Sequence, residues 1–250
     1  MKRSEVNALL RRGVAFCEKR GFHLPPFAFW SAEDWCAAGA EYDEIRDNQL
    51  GWDITDFGQG RFAEVGLVVF TVRNGNPDPA RGYAKTYCEK LLIVEEDQRT
   101  PFHYHVSKME DIICRGGGDL MIQVYNRADD ESLAETPVWV SVDGRRYEVP
   151  AGEIIRLRAG ESITLPPCLY HEFWADPGTG TALVGEVSKV NDDHHDNFFL
   201  GQVGRFPEIE EDEPPLHLLC TEYPTVAPTG DRQSVPLREG AGRVTRPEAP

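Results

Sequence analysis

The chain has 250 residues, 40% of them hydrophobic, which is enough for one domain of the size that barrels and sandwiches often reach. It carries 42 acidic against 26 basic residues, a formal net charge of −16, so nucleic acid and anionic membranes are excluded as expected partners and a phosphorylated substrate is disfavoured. There is no uncharged apolar run of membrane-spanning length, the opening MKRSEVNALLRR lacks a signal-peptide core, and the six cysteines are scattered without a C-x-x-C pair, so a cytoplasmic location with reduced, packing cysteines is the default expectation.

Residues 4–20 predict an amphipathic helix. Ser4 is the expected N-cap, apolar residues recur at Val6, Leu9, Leu10, Val14 and Cys17, and Gly21 is the stop. LPPFAFW (24–30) reads as extended and aromatic, and Ser31 opens a short second helix that ends near Gly39. Residues 1–40 are thus expected to form an N-terminal helical cap rather than a separate domain.

From residue 52 the character changes. Short β-branched and aromatic runs follow at 67–73, 85–94, 110–114, 119–125, 137–142, 153–157, 162–165, 170–174 and 182–188, divided by turn sequences such as RNGNPDP (73–79) and VDGRR (142–146). Many short strands without intervening helices indicate a mainly β barrel or sandwich. PEIEEDEPP (207–215) reads as an acidic connector, LHLLCTEY (216–223) as an edge strand, and 224–250 as a disordered tail.

The segment PFHYHVSKMEDIICRGG (101–117) carries the chemistry. His103 and His105 are two apart on a predicted strand and so share a face. Glu110, at an odd offset from them, would face away on an unbroken strand, so Val106–Met109 must bend to bring it back. In GESITLPPCLYHEFW (160–174) two prolines set a turn, after which His171 enters a strand that could neighbour the histidine pair. Three imidazoles and a carboxylate make a mixed nitrogen–oxygen site suited to one divalent ion such as Mn²⁺, Fe²⁺, Co²⁺, Ni²⁺ or Zn²⁺. Alone, a His-x-His pair is more often filler; the glutamate and the later Gly-x5-Pro…His segment turn the balance.

HYHVSKME (103–110) followed by Gly117, and GESITLPPCLYH (160–171), resemble the two cupin motifs. Asp97 and Cys168 stand where those motifs usually have glycine, and Ala175 where the second usually ends in asparagine. The opening MKRSEVN, LPPFAFW, EDIICRGGGDLMIQVYN, LPPCLYHEFWA, and GEVSKVNDDHHDNFF with the later EDEPP extend the resemblance to D-lyxose ketol-isomerases over residues 1–223. That resemblance implies a cupin (double-stranded β-helix) barrel and a cytosolic, Mn²⁺-dependent homodimer that interconverts D-lyxose and D-xylulose, and relatives also accept D-mannose.

Such chemistry needs a carboxylate base over one face of a cis-enediol. Glu186, a charged residue in the apolar run ALVGEVS, is the first candidate, against an outward-facing surface reading. Glu110 is a possible partner in proton transfer. Lys90 is a candidate catalytic or sugar-binding residue, although alternation does not decide whether it or Glu89 faces inward. Lys108 shares the ambiguity. Asp193 or Asp192, in the polar run 190–197, could accept hydrogen bonds from sugar hydroxyls, and Trp174 is the aromatic expected to line the site ahead of Phe27, Phe29 and Trp52. L-ribose isomerase, another cupin enzyme such as an Fe²⁺ dioxygenase, and a non-catalytic sugar-binding cupin are the competing readings.

Overall fold

The computed structural model describes residues 1–201, 203–204 and 207–225; of the tail expected to lack order, 226–250 lie outside the described residues. Helix α1 (Arg3–Lys19) is capped two residues earlier than expected: Lys2 rather than Ser4 is the cap, and its N–H donates to the Glu5 carboxylate at 2.8 Å. Ser4 instead donates its N–H and hydroxyl to Asp212, at 2.9 and 2.7 Å, tying the helix to the acidic segment near the C-terminus. Gly21, at φ 71°, ends the helix as predicted.

The 24–30 segment is not extended throughout. Pro26–Phe29 forms a 3₁₀ turn, for which the proline's fixed φ is suited. Helix α2 (Ala32–Ala37) is capped by Ser31, whose hydroxyl accepts the Asp34 N–H at 3.2 Å. A third short helix, α3 (Asp43–Asp47), was not foreseen.

The strands form two antiparallel sheets. The first runs β1 (Gly51–Thr55), β2 (Leu67–Arg73), β3 (Tyr87–Val94), β13 (Ala182–Lys189), β5 (Glu110–Gly117), β11 (Ser162–Leu165), β8 (Val138–Val142), β9 (Arg145–Val149). The second runs β10 (Ile154–Leu157), β6 (Leu120–Arg127), β12 (Leu169–Ala175), β4 (His103–Tyr104), β14 (Phe198–Phe199), with β7 (Leu133–Ala134) paired to β6. The sheets enclose a core built from alternate residues: Leu92 and Val94 from β3, Ile112 and Cys114 from β5, Ile122 and Val124 from β6, Phe173 and Ala175 from β12. This is the cupin-type barrel that the motifs imply.

A second apolar layer lies on the outer face of β1–β3. Val6, Leu9, Leu10 and Cys17 of α1 cover Trp52, Ile54, Phe70, Leu91 and Ile93. Strands β1 and β2 are therefore buried on both faces. The expected strand at 216–223 is absent: that segment turns, with Leu219 in the outer apolar layer and the Cys220 N–H donating to Trp52 O at 2.7 Å.

Candidate metal centre and its cavity

His103 and His171 lie side by side because β4 and β12 pair in that register. Beyond Tyr104 the chain leaves β4, turns through residues 105–109 and crosses to the other sheet, where Glu110 is the first residue of β5. The bend expected over Val106–Met109 is thus present. One ligand atom from each of His103, His105, Glu110 and His171 lies within 4.8 Å of the others.

The tautomers follow from the neighbours. The Nδ1 atoms of His103, His105 and His171 face the carbonyls of Pro101, Asp196 and Leu169 at 2.9, 2.6 and 3.1 Å. A carbonyl only accepts, so each Nδ1 carries the proton and each Nε2 keeps a lone pair. Nε2 of His105 and Nε2 of His171 are buried without a hydrogen-bond partner, 3.4 and 3.1 Å from Glu110 Oε1. Burial, then the neighbouring histidines, hold His103 well below the usual imidazole range and so neutral. Lone pairs converging on a carboxylate in a buried cluster are costly unless a cation sits among them, so the donor set fits a divalent ion.

Beside this cluster lies a row of alternating charges. Lys108 Nζ is 2.7 Å from Glu110 Oε2 and 3.0 Å from Glu186 Oε1; Lys90 Nζ is 3.6 Å from the same Glu186 oxygen and 4.0 Å from Asp193 Oδ1. Asn191 Oδ1 accepts from Lys90 at 2.7 Å and from Lys108 at 3.4 Å. The strand registers make the row, since Glu186 on β13 pairs with Lys90 on β3 on one side and Ile112 on β5 on the other. Burial works against charge on Glu110, but Lys108 and then His105 outweigh it and hold the carboxyl well below its usual range. Burial likewise opposes the charge on both lysines, yet Glu110 and Glu186 push Lys108 up, and Asp193 and Glu186 push Lys90 up. Counted formally, three carboxylates face two ammoniums, and the surplus negative charge favours a bound cation.

The row lines a cavity of about 60 Å³ together with His103, His105, Asn197 and the apolar side chains of Phe57, Phe173 and Phe199. Lys90 faces it while Glu89 turns outward to Arg73 at 3.0 Å, which settles the alternation. Glu186 is only 6% exposed, unlike a surface glutamate. Trp174 corrects an expectation. His171 and Phe173 occupy the inward phase of β12, so Trp174 falls on the opposite face, under the Arg99 guanidinium at 3.7 Å from its ring centre. Asp192 is also outside the lining; it accepts the backbone N–H groups of His194 and His195, both at 3.1 Å. Phe27 and Trp52 pack against Phe70 in the outer layer.

Asn191, Asp196, Phe57 and Phe199 were not singled out from the sequence. Asp196 was hidden among the acids and amides of VNDDHHDN, and Phe199 belongs to a two-residue strand whose partner cannot be read locally.

A family model described as D-lyxose isomerase matches residues 1–223. The D-lyxose/D-mannose isomerase of Serratia proteamaculans is 49% identical over 224 residues, covering 89% of this chain and 98% of the relative. That of Escherichia coli O157:H7 is 48% identical over 226 residues, with the same coverage. Among solved structures, the L-ribose isomerase of Cellulomonas parahominis with L-ribose superposes with a TM-score of 0.55 at 19% identity, over 84% of this chain and 98% of that one. The L-ribose isomerase of Geodermatophilus obscurus gives 0.54 at 17%, over 83% and 98%. At these identities the solved structures speak to the fold. The extent and identity of the sequence matches place the chain in the D-lyxose isomerase family.

Proposed function

We propose that this protein interconverts D-lyxose and D-xylulose, and D-mannose and D-fructose, using one divalent ion held by His103, His105, Glu110 and His171. The observation that carries the reading is the meeting, in one cavity, of a four-donor cation cluster and an uncoordinated carboxylate, Glu186, between two buried lysines. When bound, the ion supplies Lewis-acid stabilisation to the oxygens of the substrate's reacting carbons. Mn²⁺ is the first choice from the family resemblance, with Zn²⁺, Co²⁺ and Fe²⁺ compatible with the same donors.

Glu186 is the base. It takes the proton from C2 of the aldose and returns it to C1 of the ketose while the O2 proton passes to O1, so hydrogen is conserved. Lys108 and Lys90 stabilise negative charge on the enediolate oxygens and hold Glu186 in place. Glu110, pinned by Lys108 and directed at the three imidazoles, is the poorer base and serves as ligand first. Asp193 and Lys90, which line the cavity, bond the sugar's remaining hydroxyls in this reading. A homodimer and a cytoplasmic location complete the reading. The dimer draws on the resemblance and the aromatic N-terminal segment; the location draws on the six unpaired cysteines. No helix among the described residues is long and apolar enough to cross a membrane.

The test is incubation of Mn²⁺-loaded protein with a panel of free pentoses and hexoses in D₂O. Ketose formation from D-lyxose, with deuterium at the exchanged carbon, is expected. Failure to convert D-lyxose would sink the substrate assignment, and deuterium at C1 would exclude a hydride shift, because only a proton held on a base can exchange with solvent before its return. Oxygen consumption in place of isomerisation would restore the dioxygenase reading.

A further inference from the structure

We infer that Asp196 is a positioning residue that pre-forms the ligand-bearing turn of the metal centre. The inference rests on the metal reading above and goes beyond it, because Asp196 touches neither the ion's four donors with its side chain nor the cavity.

Its carboxylate accepts three successive backbone N–H groups: Val106 at 2.8 Å, Ser107 at 3.0 and 3.3 Å, and Lys108 at 2.8 Å. Its own carbonyl accepts from His105 Nδ1 at 2.6 Å. These are the residues between ligand His105 and ligand Glu110, and they include Lys108, the bridge between the two glutamates. No strand holds this stretch, because β4 ends at Tyr104 and β5 begins at Glu110. Three N–H groups converging on one carboxylate supply the partners that a sheet would otherwise provide.

The placement follows from register. β14 pairs with β4 as Phe198 to Tyr104 and Phe199 to His103, and the same register carried two residues further sets Asp196 opposite Val106. Asp196 is itself fixed by its N–H, which donates to Asp192 O at 3.0 Å, and it is only 9% exposed. The contacts therefore act on the site through the backbone: the carboxylate sets the path of 106–108, the carbonyl sets the ring of His105, and together they decide whether His105 and Glu110 meet.

The experiment measures the Mn²⁺ dissociation constant of purified apo-protein, from the electron paramagnetic resonance signal of free Mn²⁺, together with the unfolding midpoint of the apo form. Asp196→Asn keeps the shape but loses one acceptor; Asp196→Ala loses both; the carbonyl stays in each. Mn²⁺ affinity is expected to fall by about 10-fold in Asp196→Asn and up to about 100-fold in Asp196→Ala, as for lost supporting partners of metal ligands. Arg3→Gln, a destabilising change at a residue that neither lines the cavity nor touches its lining side chains, is the control and is expected to leave Mn²⁺ affinity within about twofold of wild type. Wild-type affinity in a folded Asp196→Asn, or an equal loss in Arg3→Gln, overturns the inference while the metal reading stands. A wild-type protein that binds no divalent ion removes the metal reading itself, and this inference with it.

Discussion

Glu186 and Lys108 are 3.0 Å apart, both almost fully buried, and neither could be held there cheaply without the other. Replacing Glu186 by glutamine keeps the side chain's shape and removes its basicity. We expect Glu186→Gln to retain the metal and to lose turnover by ~10²-fold or more, read as kcat beside metal content. Full activity would transfer the base to another carboxylate. His171→Ala is different, since it removes a donor whose Nε2 has no other partner. Metal affinity should fall by more than about 10²-fold, beyond the loss typical for outer partners, and rate should fall with it. A variant that keeps its metal would take His171 out of the donor set.

At the scale of elements, the short connections do more to shape the site than the long strands. Asp97 and Cys168, which stand where the cupin motifs usually have glycine, adopt φ of 55° and 63°, so the backbone keeps the left-handed turn despite the side chain. The Cys168 N–H donates to the His105 carbonyl at 2.7 Å, which makes the turn useful to the site. A side chain in this conformation costs roughly 1–2 kcal/mol, partly offset by glycine's larger unfolded-state entropy. Cys168→Gly should therefore raise the unfolding free energy by about 0.5–1 kcal/mol, seen as a higher denaturant midpoint. A lower midpoint would mean that thiol packing outweighs the strain. The 190–197 segment is held at both ends. Asp196 fixes the far end, and at the near end Asn191 N donates to Asn74 Oδ1 at 3.0 Å while Asn74 Nδ2 returns a bond to Asn191 O at 3.1 Å. Asp193 is carried over the cavity between these anchors.

Across the whole molecule, the two ends of the described chain clasp one another. Arg3, 2% exposed, donates to the carboxylates of Glu211 and Glu222; Asn7 donates to Glu213 at 2.6 Å and accepts from the Leu216 N–H at 2.8 Å. The acidic segment read from the sequence as a connector is thus a strap across the start of α1. Arg3→Ala leaves two carboxylates without their shared partner. Because Glu211 is itself largely exposed, the cost is that of lost charged hydrogen bonds, about 1–3 kcal/mol. The unfolding midpoint should drop by a few degrees, roughly 2–4 °C per kcal/mol for a chain of this size, with protease cleavage appearing first in 207–223. Unchanged stability would show that the clasp is ornamental. Mn²⁺ affinity, governed by side chains that Arg3 does not touch, should not follow.

Local patterning was enough for the mainly β class, for α1, for the strands with clear alternation, and for naming His103, His105, Glu110 and His171 as candidate donors, because a two-residue histidine spacing puts two imidazoles on one face and a Pro-flanked turn leads into His171. It was not enough where polarity comes from a distant partner. β1 contains Asp53 amid apolar residues and becomes a strand because α1 covers its outer face; β9, mostly polar, is held by pairing with β8 at a sheet edge. In mixed strands a period of two leaves the phase open, so only the folded chain decided that Lys90 and Glu186 face inward and Trp174 outward. The role of Asp196 is the extreme case, since its partners lie about ninety positions away in sequence and are backbone amides, which carry no sequence signature. Residue types and spacings determine which donors are available; long-range strand pairing alone determines which of them converge.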